Sequence, residues 1–282
     1  MTLNRPRLEA ILQTLQTPGI EADWDSQLQF SPGDFSLYLF DTVSSTNTTL
    51  WELIEAGALG GTVVIATQQT AGRGQWGRRW CSESGGLYLS WAVNPNLAVS
   101  NQAQLTVASA WGIATVLGDR QLPIQLKWPN DLMLEGRKLG GILTETRIDQ
   151  GQITQAVVGV GLNWNNPVPE IGINLQTFFG NCPDLTPIQS LEMVAALVIQ
   201  GLNYGWQTFS QTGIEALLPG YWELLGCRGR QVEVAGQVGV ITGVNSQGEL
   251  CVQMPSSAVP ELVPGNITET YLKPGTINLG YG

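Results

Sequence analysis

The chain has 282 residues, of which 43% are hydrophobic and 13% are charged, so it is long enough and apolar enough to bury a sizeable core. Its net charge of −10 opposes general binding to nucleic acid or to anionic membranes. The absence of histidine excludes Ser-His-Asp triads, histidine zinc sites and histidine general bases. Since it contains neither a signal-peptide core nor an apolar run of about 18 residues, we expect a soluble, cytoplasmic protein.

The first part of the chain mixes helical and strand patterns. Residues 1–35 are expected to form an N-terminal extension, in which Leu8, Ile11 and Leu12 recur at helical spacing. The patterns that follow, in chain order, predict a helix at 46–56, strands at 62–67 and 86–93 (the second one alternating), a helix at 103–117 and an alternating strand at 124–128.

A hairpin is predicted next, from residues 132–134 and 138–146 with Glu135-Gly136 at its turn, and a strand at 152–162 follows it. Thr186-Pro187 is expected to begin the strongest helix of the chain. Threonine is a good cap, proline suits the first helical position, and Gln189 completes a capping box.

The character of the sequence changes near residue 226. From Cys227 to Pro274 short β segments alternate with glycine and proline, which predicts a small closed β-barrel. We therefore expect three parts: an N-terminal extension (1–35), a main domain (36–226) and a C-terminal barrel (227–282). The four cysteines are far apart and form no Cys-x-x-Cys pair, which favours free thiols: Cys81, Cys182, Cys227 and Cys251.

Residues 72–80, Gly-Arg-Gly-Gln-Trp-Gly-Arg-Arg-Trp, place three arginines among three glycines in an acidic chain. Glycines let backbone N–H groups approach a ligand, and arginines supply fork-shaped donors for carboxylate or phosphate oxygens. The loop is neither a P-loop nor a Rossmann fingerprint. A ligand-binding loop is favoured, and the alternative is a surface turn whose arginines pair with the abundant carboxylates.

Lys127-Trp-Pro-Asn-Asp131 comes at the end of a strand and is followed by Arg137-Lys138-Leu-Gly-Gly141. Polar groups at a strand end are well placed for chemistry, and glycines in a strand indicate that another group approaches closely. A plain polar hairpin turn is an equal alternative for this segment taken alone.

Val158-Gly-Val-Gly-Leu-Asn163 has two glycines on one face of a strand, Gly159 and Gly161. A flat or slender ligand could lie against such a bare face. The alternative, a bulge or tight helix packing, is equally compatible with the sequence.

Five motifs then occur in a fixed order: Ser45-Thr46-Asn47, the Gly-Arg-Gly loop with Gln69 just upstream, Lys-Trp-Pro-Asn-Asp, Lys-Leu-Gly-Gly-Ile-Leu and Gly-Val-Gly-Leu-Asn. In this order they resemble the biotin protein ligases over roughly residues 36–275. The resemblance implies an α+β fold, with a mixed sheet flanked by helices as in class II aminoacyl-tRNA synthetases and lipoate ligases, and a small C-terminal SH3-like barrel.

The same resemblance implies an ATP-dependent ligase of the monofunctional type, without a DNA-binding domain. Biotin and ATP would form biotinyl-5′-AMP and diphosphate, with Mg²⁺ neutralising the departing diphosphate. The biotinyl group would then pass to a lysine of the biotin carboxyl carrier protein of acetyl-CoA carboxylase. No nucleic acid or membrane partner is expected, and both a monomer and a homodimer remain open.

Roles for individual residues follow from the matching motifs, and the metal ligands stay unknown. The catalytic candidates are Lys138, Arg73 and Asp131, where Asp131 would receive a proton from the carrier lysine. The biotin-binding candidates are Ser45, Thr46, Asn47, Gln69, Arg73, Gly74, Gln75, Lys138, Gly159 and Gly161. The nucleotide-binding candidates are Arg78, Trp80, Asn130 and Asn163.

One position departs from the pattern. Many family members have a second arginine where this chain has Gln75. Binding of the adenylate by this chain is therefore expected to be weaker, or shared with Arg78. Three rival functions stay open: a lipoate ligase, a non-catalytic biotin-binding module and a biotin-responsive DNA-binding repressor. The repressor is the least favoured, because few residues precede the main domain and the net charge is negative.

Overall fold

The computed structural model describes residues 3–15, 35–182, 185, 188–255, 267–277 and 279–280. The helices are α1 (Arg5–Thr14), α2 (Thr46–Glu55), α3 (Gln102–Gly118), α4 (Leu175–Asn181), α5 (Leu191–Thr212) and α6 (Ile214–Leu224). The strands are β1 (Ser36–Val43), β2 (Thr62–Gln69), β3 (Leu87–Val93), β4 (Leu97–Ala98), β5 (Ile124–Lys127), β6 (Asp131–Leu134), β7 (Arg137–Asp149), β8 (Gln152–Leu162), β9 (Gln231–Val234), β10 (Gln237–Val244), β11 (Leu250–Pro255) and β12 (Ile267–Leu272).

The first eight strands form one mixed sheet in the order β1-β2-β3-β8-β7-β6-β5, with β4 paired to β8. Strands β1 and β2 are parallel, and the other neighbours are antiparallel. This confirms the predicted α+β class with a mixed sheet.

Helices cover both faces of the sheet. Helix α2 packs on one face, where Leu50 and Ile54 join Val64 of β2 and Val157 of β8 in a small core. Helices α3 and α5 pack together and belong to the main core on the other face. For this reason all of β3 is buried, although its sequence was predicted as an alternating strand.

Glycines allow α3 and α5 to pack closely. A Cβ atom on Gly112 would overlap the carbonyl oxygen of Gly201, and one on Gly205 would overlap that of Ala108. Helix-to-helix contact at backbone distance requires small residues at these positions. The two longest helices thereby form a rigid layer behind the sheet.

The turn between β6 and β7 agrees with the prediction. Glu135 and Gly136 both have positive φ values, 50° and 70°, as a two-residue type I′ hairpin requires. The turn sets the register in which Met133 pairs with Lys138, and a one-residue shift between Leu132 and Met133 then places Asp131 opposite Gly141. The turn and this shift together decide which residues meet at the open end of the hairpin.

The predicted start of the longest helix is wrong. Helix α5 begins at Leu191, and Ser190 caps it by accepting a hydrogen bond of 3.3 Å from the backbone N–H of Met193. Gln189 lies before the helix, while Thr186 and Pro187 lie outside the described residues. A capping serine directly before the apolar run replaces the predicted capping box.

The described part of the N-terminal extension packs onto α5. Leu8 and Leu12 of α1 are buried in the main core, and the backbone N–H of Asn4 donates to the carboxylate of Glu192 at 3.0 Å. The C-terminal sheet also contacts the main core. Trp128 Nε1 donates to the carbonyl of Gly248 at 2.9 Å, and Gln104 Nε2 donates to that of Ser246 at 2.7 Å.

The predicted closed barrel is not confirmed. Strands β9 to β12 form an antiparallel sheet in the order β12-β11-β10-β9, and this sheet is open among the described residues. Each strand pairs only with its neighbours in sequence, whereas a barrel requires its first and last strands to pair.

Two further expectations concern cysteines and membranes. All four cysteines are free, with Cys81 exposed, Cys182 half-buried and Cys227 and Cys251 buried. Within the part of the chain that the structure describes, no helix has the length and apolar character needed to cross a membrane.

Candidate active site

A cavity of about 840 Å³ opens between the glycine-arginine loop, the end of β5, the start of β7 and the turn after β12. Five cationic side chains and a single carboxylate, that of Asp131, line it among the described residues. The chain's net charge is −10, so positive charge is concentrated at this point. Nine predicted site residues are in its lining: Arg73, Gly74, Gln75, Arg78, Trp80, Asn130, Asp131, Lys138 and Asn163.

Lys138 and Asp131 form an ion pair at the floor of the cavity, with 2.6 Å between Nζ and Oδ1. A Cβ atom on Gly141 would lie 3.4 Å from that carboxylate and 3.5 Å from the ammonium, so the bare strand position leaves space for the pair. The predicted close approach at this glycine is the protein's own ion pair. Both charged groups are largely shielded from solvent.

Lys127 precedes this pair along β5 and also lines the cavity. Burial lowers the pKa of its ammonium, Asp131 raises it, and the neighbouring Lys138, Arg78 and Arg230 lower it further. The net direction is down. Burial is the largest of these causes, because it penalises the charged form of the ammonium.

Asn130 is held against β7. Its side-chain Nδ2 donates to the carbonyl of Ile142 at 2.8 Å, and its own carbonyl accepts from the N–H of Ile142 at 2.9 Å. Asn163 is buried and donates to the carbonyls of Lys138 and Ile173 at 3.3 and 3.2 Å. Asn130 and Asn163, both predicted to bind the nucleotide, therefore hold the backbone of β7 near Lys138.

Arg73 extends from the loop to β7, where it meets a carboxylate that the sequence analysis did not select. Its Nη1 lies 2.9 Å from Glu145 Oε1, and its Nη2 lies 3.1 Å from Oε2. Thr48 Oγ1 accepts a further long bond of 3.4 Å from Nη2. The side chain is nonetheless about half exposed.

The predicted biotin residues of α2 form a buried hydrogen-bond network behind the cavity. The backbone N–H of Thr46 donates to Gln69 Oε1 at 2.8 Å. The Ser90 hydroxyl lies 2.7 Å from Thr46 Oγ1 and 2.6 Å from Asn47 Oδ1. Ser45 is also buried, at the N-cap of α2. These four predicted residues meet in one place, but outside the described lining of the cavity.

Gly159 and Gly161 of β8 do not present a bare face. A Cβ atom on Gly159 would overlap Asn47 Oδ1, and one on Gly161 would lie 2.5 Å from Trp80 Nε1. The sequence was equally compatible with a bare face and with close packing here, and the structure shows close packing, because side chains from α2 and from the loop fill the space above both glycines.

Trp80 separates Gly161 from Lys138. Lys138 Nζ lies 5.2 Å from the centroid of the Trp80 ring, within the range of a cation–π contact. The indole Nε1 is buried and has no hydrogen-bond partner among the described residues. An unpaired buried donor costs on the order of 1–3 kcal/mol, so the missing hydrogen bond destabilises this arrangement of Trp80.

The loop also contacts the turn after β12. A Cβ atom on Gly275 would lie 2.8 Å from the Trp76 ring, and Gly275, Thr276 and Ile277 belong to the cavity lining. Trp76 has a positive φ of 59° and is 64% exposed. The C-terminal segment thus contributes a wall of the cavity, which the sequence did not reveal.

Sequence reasoning missed three polar side chains of the site. Ser90 interrupts an otherwise apolar strand, and that interruption is a signal that could have found it, whereas Glu145 stands between Thr144 and Thr146 and is not distinguished in this way. Ser82, which accepts from Gln69 Nε2 at 2.8 Å, lies in a loop and gives no comparable signal.

These features define a class of protein first: a mixed-sheet α+β domain with a cation-lined cavity. A family model described as the biotin/lipoate A/B protein ligase family matches residues 39–163. The biotin--[acetyl-CoA-carboxylase] ligase of Mycobacterium tuberculosis is 31% identical over 239 residues, which is 78% of this chain and 85% of that protein. The chain belongs to the biotin protein ligase family.

Two further relatives define the extent of the likeness. The bifunctional ligase/repressor BirA of Bacillus subtilis is 37% identical over 133 residues, covering 46% of this chain and 40% of that protein. The match thus spans less than half the length of that relative. The biotin protein ligase of Aquifex aeolicus in complex with biotin and ATP superposes with a TM-score of 0.65 at 24% identity, covering 83% of this chain and 98% of that one. At that identity the superposition shows the fold alone.

Proposed function

We propose that this chain attaches biotin to a lysine of a carrier protein, through biotinyl-5′-AMP made from biotin and ATP. The observation that carries the proposal is the cationic cavity, lined by Arg73 and Lys138, in a member of the biotin protein ligase family. Relatives named as ligases for acetyl-CoA carboxylase support its biotin carboxyl carrier subunit as the acceptor.

The first step joins two anions. A carboxylate oxygen of biotin attacks the α-phosphorus of ATP, the bond to the diphosphate breaks, and diphosphate leaves. At about 4 Å and an effective dielectric near 20, each unit-charge repulsion costs on the order of 4 kcal/mol. Arg73 and Lys138 would offset this repulsion and orient the two reactants, since preorganised cations need no rearrangement during the reaction.

Each of these cations forms an ion pair with a carboxylate: Arg73 with Glu145, and Lys138 with Asp131. Ligand oxygens would therefore have to join or replace these partners. The half-exposed Arg73 has the freedom to do so by rotation of its long side chain.

Biotin recognition is assigned to the α2 network and to the strand next to it. The urea group needs donors and acceptors, which Ser45, Thr46, Asn47 and Gln69 supply. Since Thr46 already bonds to Gln69, and Asn47 Oδ1 to Ser90, ligand binding exchanges these bonds, while Asn47 Nδ2 stays with Glu145. Trp80 would leave the face of Gly161 to admit the biotin chain, and Gly74 and Gln75 would close over it.

The nucleotide is assigned to the loop side of the cavity, with Arg78 near the phosphates, Trp80 against a ring, and Asn130 and Asn163 beside Lys138. The described residues contain no cluster of three side chains able to hold a metal ion. Asp131, the carboxylate in the lining, is paired with Lys138. A magnesium ion would arrive mainly on the phosphates of ATP.

In the second step the amine nitrogen of the carrier lysine attacks the acyl carbon of the adenylate, and AMP leaves. An unperturbed lysine has a pKa of about 10.4 and must lose a proton before it can attack. Asp131, beside Lys138 at the cavity floor, is proposed to orient this amine and to receive its proton.

The proposal includes several further expectations. The chain is divided into three parts, at residues 35 and 226, and its C-terminal sheet closes into an SH3-like barrel. The protein is cytoplasmic, and it acts without nucleic acid, as a monomer or a homodimer. The net charge of −10 supports the proposal that DNA is not a partner.

The test separates the two acids used by enzymes of this fold. The protein is incubated with [α-³²P]ATP, magnesium and either biotin or lipoate, and the labelled acyl-adenylate is resolved by chromatography. The proposal predicts labelled adenylate with biotin and little with lipoate. Labelled product with lipoate alone would replace it by a lipoate ligase, and no product with either acid would support the non-catalytic binding module.

A further inference from the structure

Glu145 lies on β7 at the point where three other segments converge. Its carboxylate accepts hydrogen bonds of 3.1 Å each from Arg73 Nη2, Asn47 Nδ2 and Trp51 Nε1, and its Oε1 lies 2.9 Å from Arg73 Nη1 in an ion pair. Asn47 and Trp51 both belong to α2. One acidic side chain thus connects the loop, the helix and the sheet.

Two carboxylates, Asp131 in the cavity lining and Glu145 outside it, each pair with one of the five cations of the cavity. Gly141, Leu143 and Glu145 share one face of β7, because side chains alternate along a strand. Asp131 pairs with Lys138 above Gly141, and Glu145 pairs with Arg73 four residues further, about 13 Å along the strand. An acid held between the two positions faces one paired cation on each side.

Arg73 can leave Glu145 without stranding a buried charge. Glu145 Oε2 keeps the hydrogen bonds from Asn47 and Trp51 when the guanidinium departs, so the carboxylate stays solvated by two N–H donors. Its partner is a long, half-exposed side chain in a loop. The ion pair is therefore built so that its cation can be exchanged.

We propose that Glu145 is a positioning residue, which holds Arg73 and competes with the ligand's carboxylate for it. The inference rests on the proposed function, because it takes biotin as the incoming acid. Glu145 touches no substrate in this account and acts through Arg73. It reduces the affinity for a charged acid and leaves the affinity for an uncharged analogue unaffected.

The test compares biotin with its alcohol analogue biotinol, which lacks the carboxylate. Both are titrated by calorimetry into the full chain, as wild type and as Glu145→Gln. The glutamine keeps an oxygen that accepts from Asn47 and Trp51, and it removes the negative charge that attracts Arg73. The biotin-to-biotinol affinity ratio is expected to rise by about fivefold, the upper end for an ion pair of this exposure.

Two controls separate the charge effect from a structural one. Glu55→Gln removes a carboxylate that pairs with Arg147 at the other end of α2, and should leave the ratio unchanged. In an Arg73→Ala background, Glu145→Gln should no longer change the ratio. A structural role of Glu145 in orienting Asn47 would move both affinities together and leave the ratio constant.

The outcomes are distinct. If wild type binds biotin and the ratio stays constant or falls in Glu145→Gln, this inference is wrong while the proposed function stands. If wild type binds neither ligand, the proposed function fails and the inference fails with it. Should Glu145→Gln not fold, Glu145→Asp withdraws the carboxylate by one methylene and is expected to raise the ratio in the same direction by less. A constant or lower ratio in the aspartate variant would equally overturn the inference.

Discussion

Lys138 and Asp131 lie 2.6 Å apart at the open end of the β6–β7 hairpin, in space that Gly141 leaves vacant. The cation proposed for adenylate formation and the base proposed for transfer are therefore direct partners. A change at Asp131 should separate the two half-reactions.

Asp131→Asn is expected to slow biotin transfer from preformed biotinyl-5′-AMP by about 10²-fold or more, because a general base of this kind contributes about 10² to 10⁴. Adenylate formation should change less, since Lys138 stays in place. Single-turnover transfer to a carrier domain measures the effect, and Glu135→Gln in the exposed hairpin turn is the matched control. Transfer at the wild-type rate would show that Asp131 is not the base.

Gln75→Arg should slow the release of the adenylate. An arginine brings a charge to the cavity lining that glutamine lacks, and a charge-assisted bond to a phosphate is about twice as strong as a neutral one. Release is followed by chasing bound labelled adenylate with excess unlabelled ligand. Gln253→Arg on the exposed face of β11 controls for added charge, and an unchanged or faster release in Gln75→Arg would count against the role of this position.

Gly161→Ala should be destabilising through Trp80. The new Cβ would lie 2.5 Å from the indole nitrogen, and overpacking of this kind costs about 1–3 kcal/mol. In a Trp80→Phe background the cost should largely disappear, which denaturant unfolding of the four variants measures as a coupling energy.

Gly159→Ala is the matched control for this experiment. Its Cβ would overlap Asn47 rather than Trp80, so its cost should be the same in both backgrounds. Equal destabilisation by Gly161→Ala in the presence and absence of Trp80 would mean that the indole does not occupy this face in solution.

Cys81 should be the most reactive thiol of the chain and should be protected by ligands. It is exposed and lies in the cavity lining. Burial raises the pKa of Cys227, and burial with nearby Glu269 and Glu249 raises the pKa of Cys251 to about 11, so both remain protonated at neutral pH. The reactivity of these two thiols should grow only as the pH rises towards their raised pKa.

Maleimide labelling followed by peptide mass spectrometry tests this expectation. Biotin with ATP should slow the labelling of Cys81 markedly and leave the buried cysteines unaffected. Labelling of Cys81 at the same rate with and without ligands would place it outside the occupied site.

Local patterns predicted the elements well where local chemistry decides them. Gly136 specified its own turn, since glycine adopts positive φ without strain, and helical periodicity located α2 and α3 within a residue or two. The start of α5 was misplaced because two competing cap signals, Thr186 and Ser190, stand close together in the sequence.

Tertiary contacts were beyond the same reasoning. The motifs predicted that Arg73, Lys138 and Asp131 line one cavity, and they do. They did not predict that Asn47 and Trp80 fill the faces of Gly159 and Gly161, or that Glu145 receives Arg73. A bare glycine shows that something comes close, and only the fold decides whether that is a ligand or a side chain.

The most direct test of the cationic cavity uses the complete reaction. The protein is incubated with ATP, magnesium, biotin and a biotin carboxyl carrier domain, and the mass of the carrier is measured. Wild type and Arg137→Ala, an exposed neighbour of the site, should each add one biotinyl group, whereas Lys138→Ala should add almost none. A carrier that gains no biotin with wild type, or gains it equally with Lys138→Ala, would contradict the account.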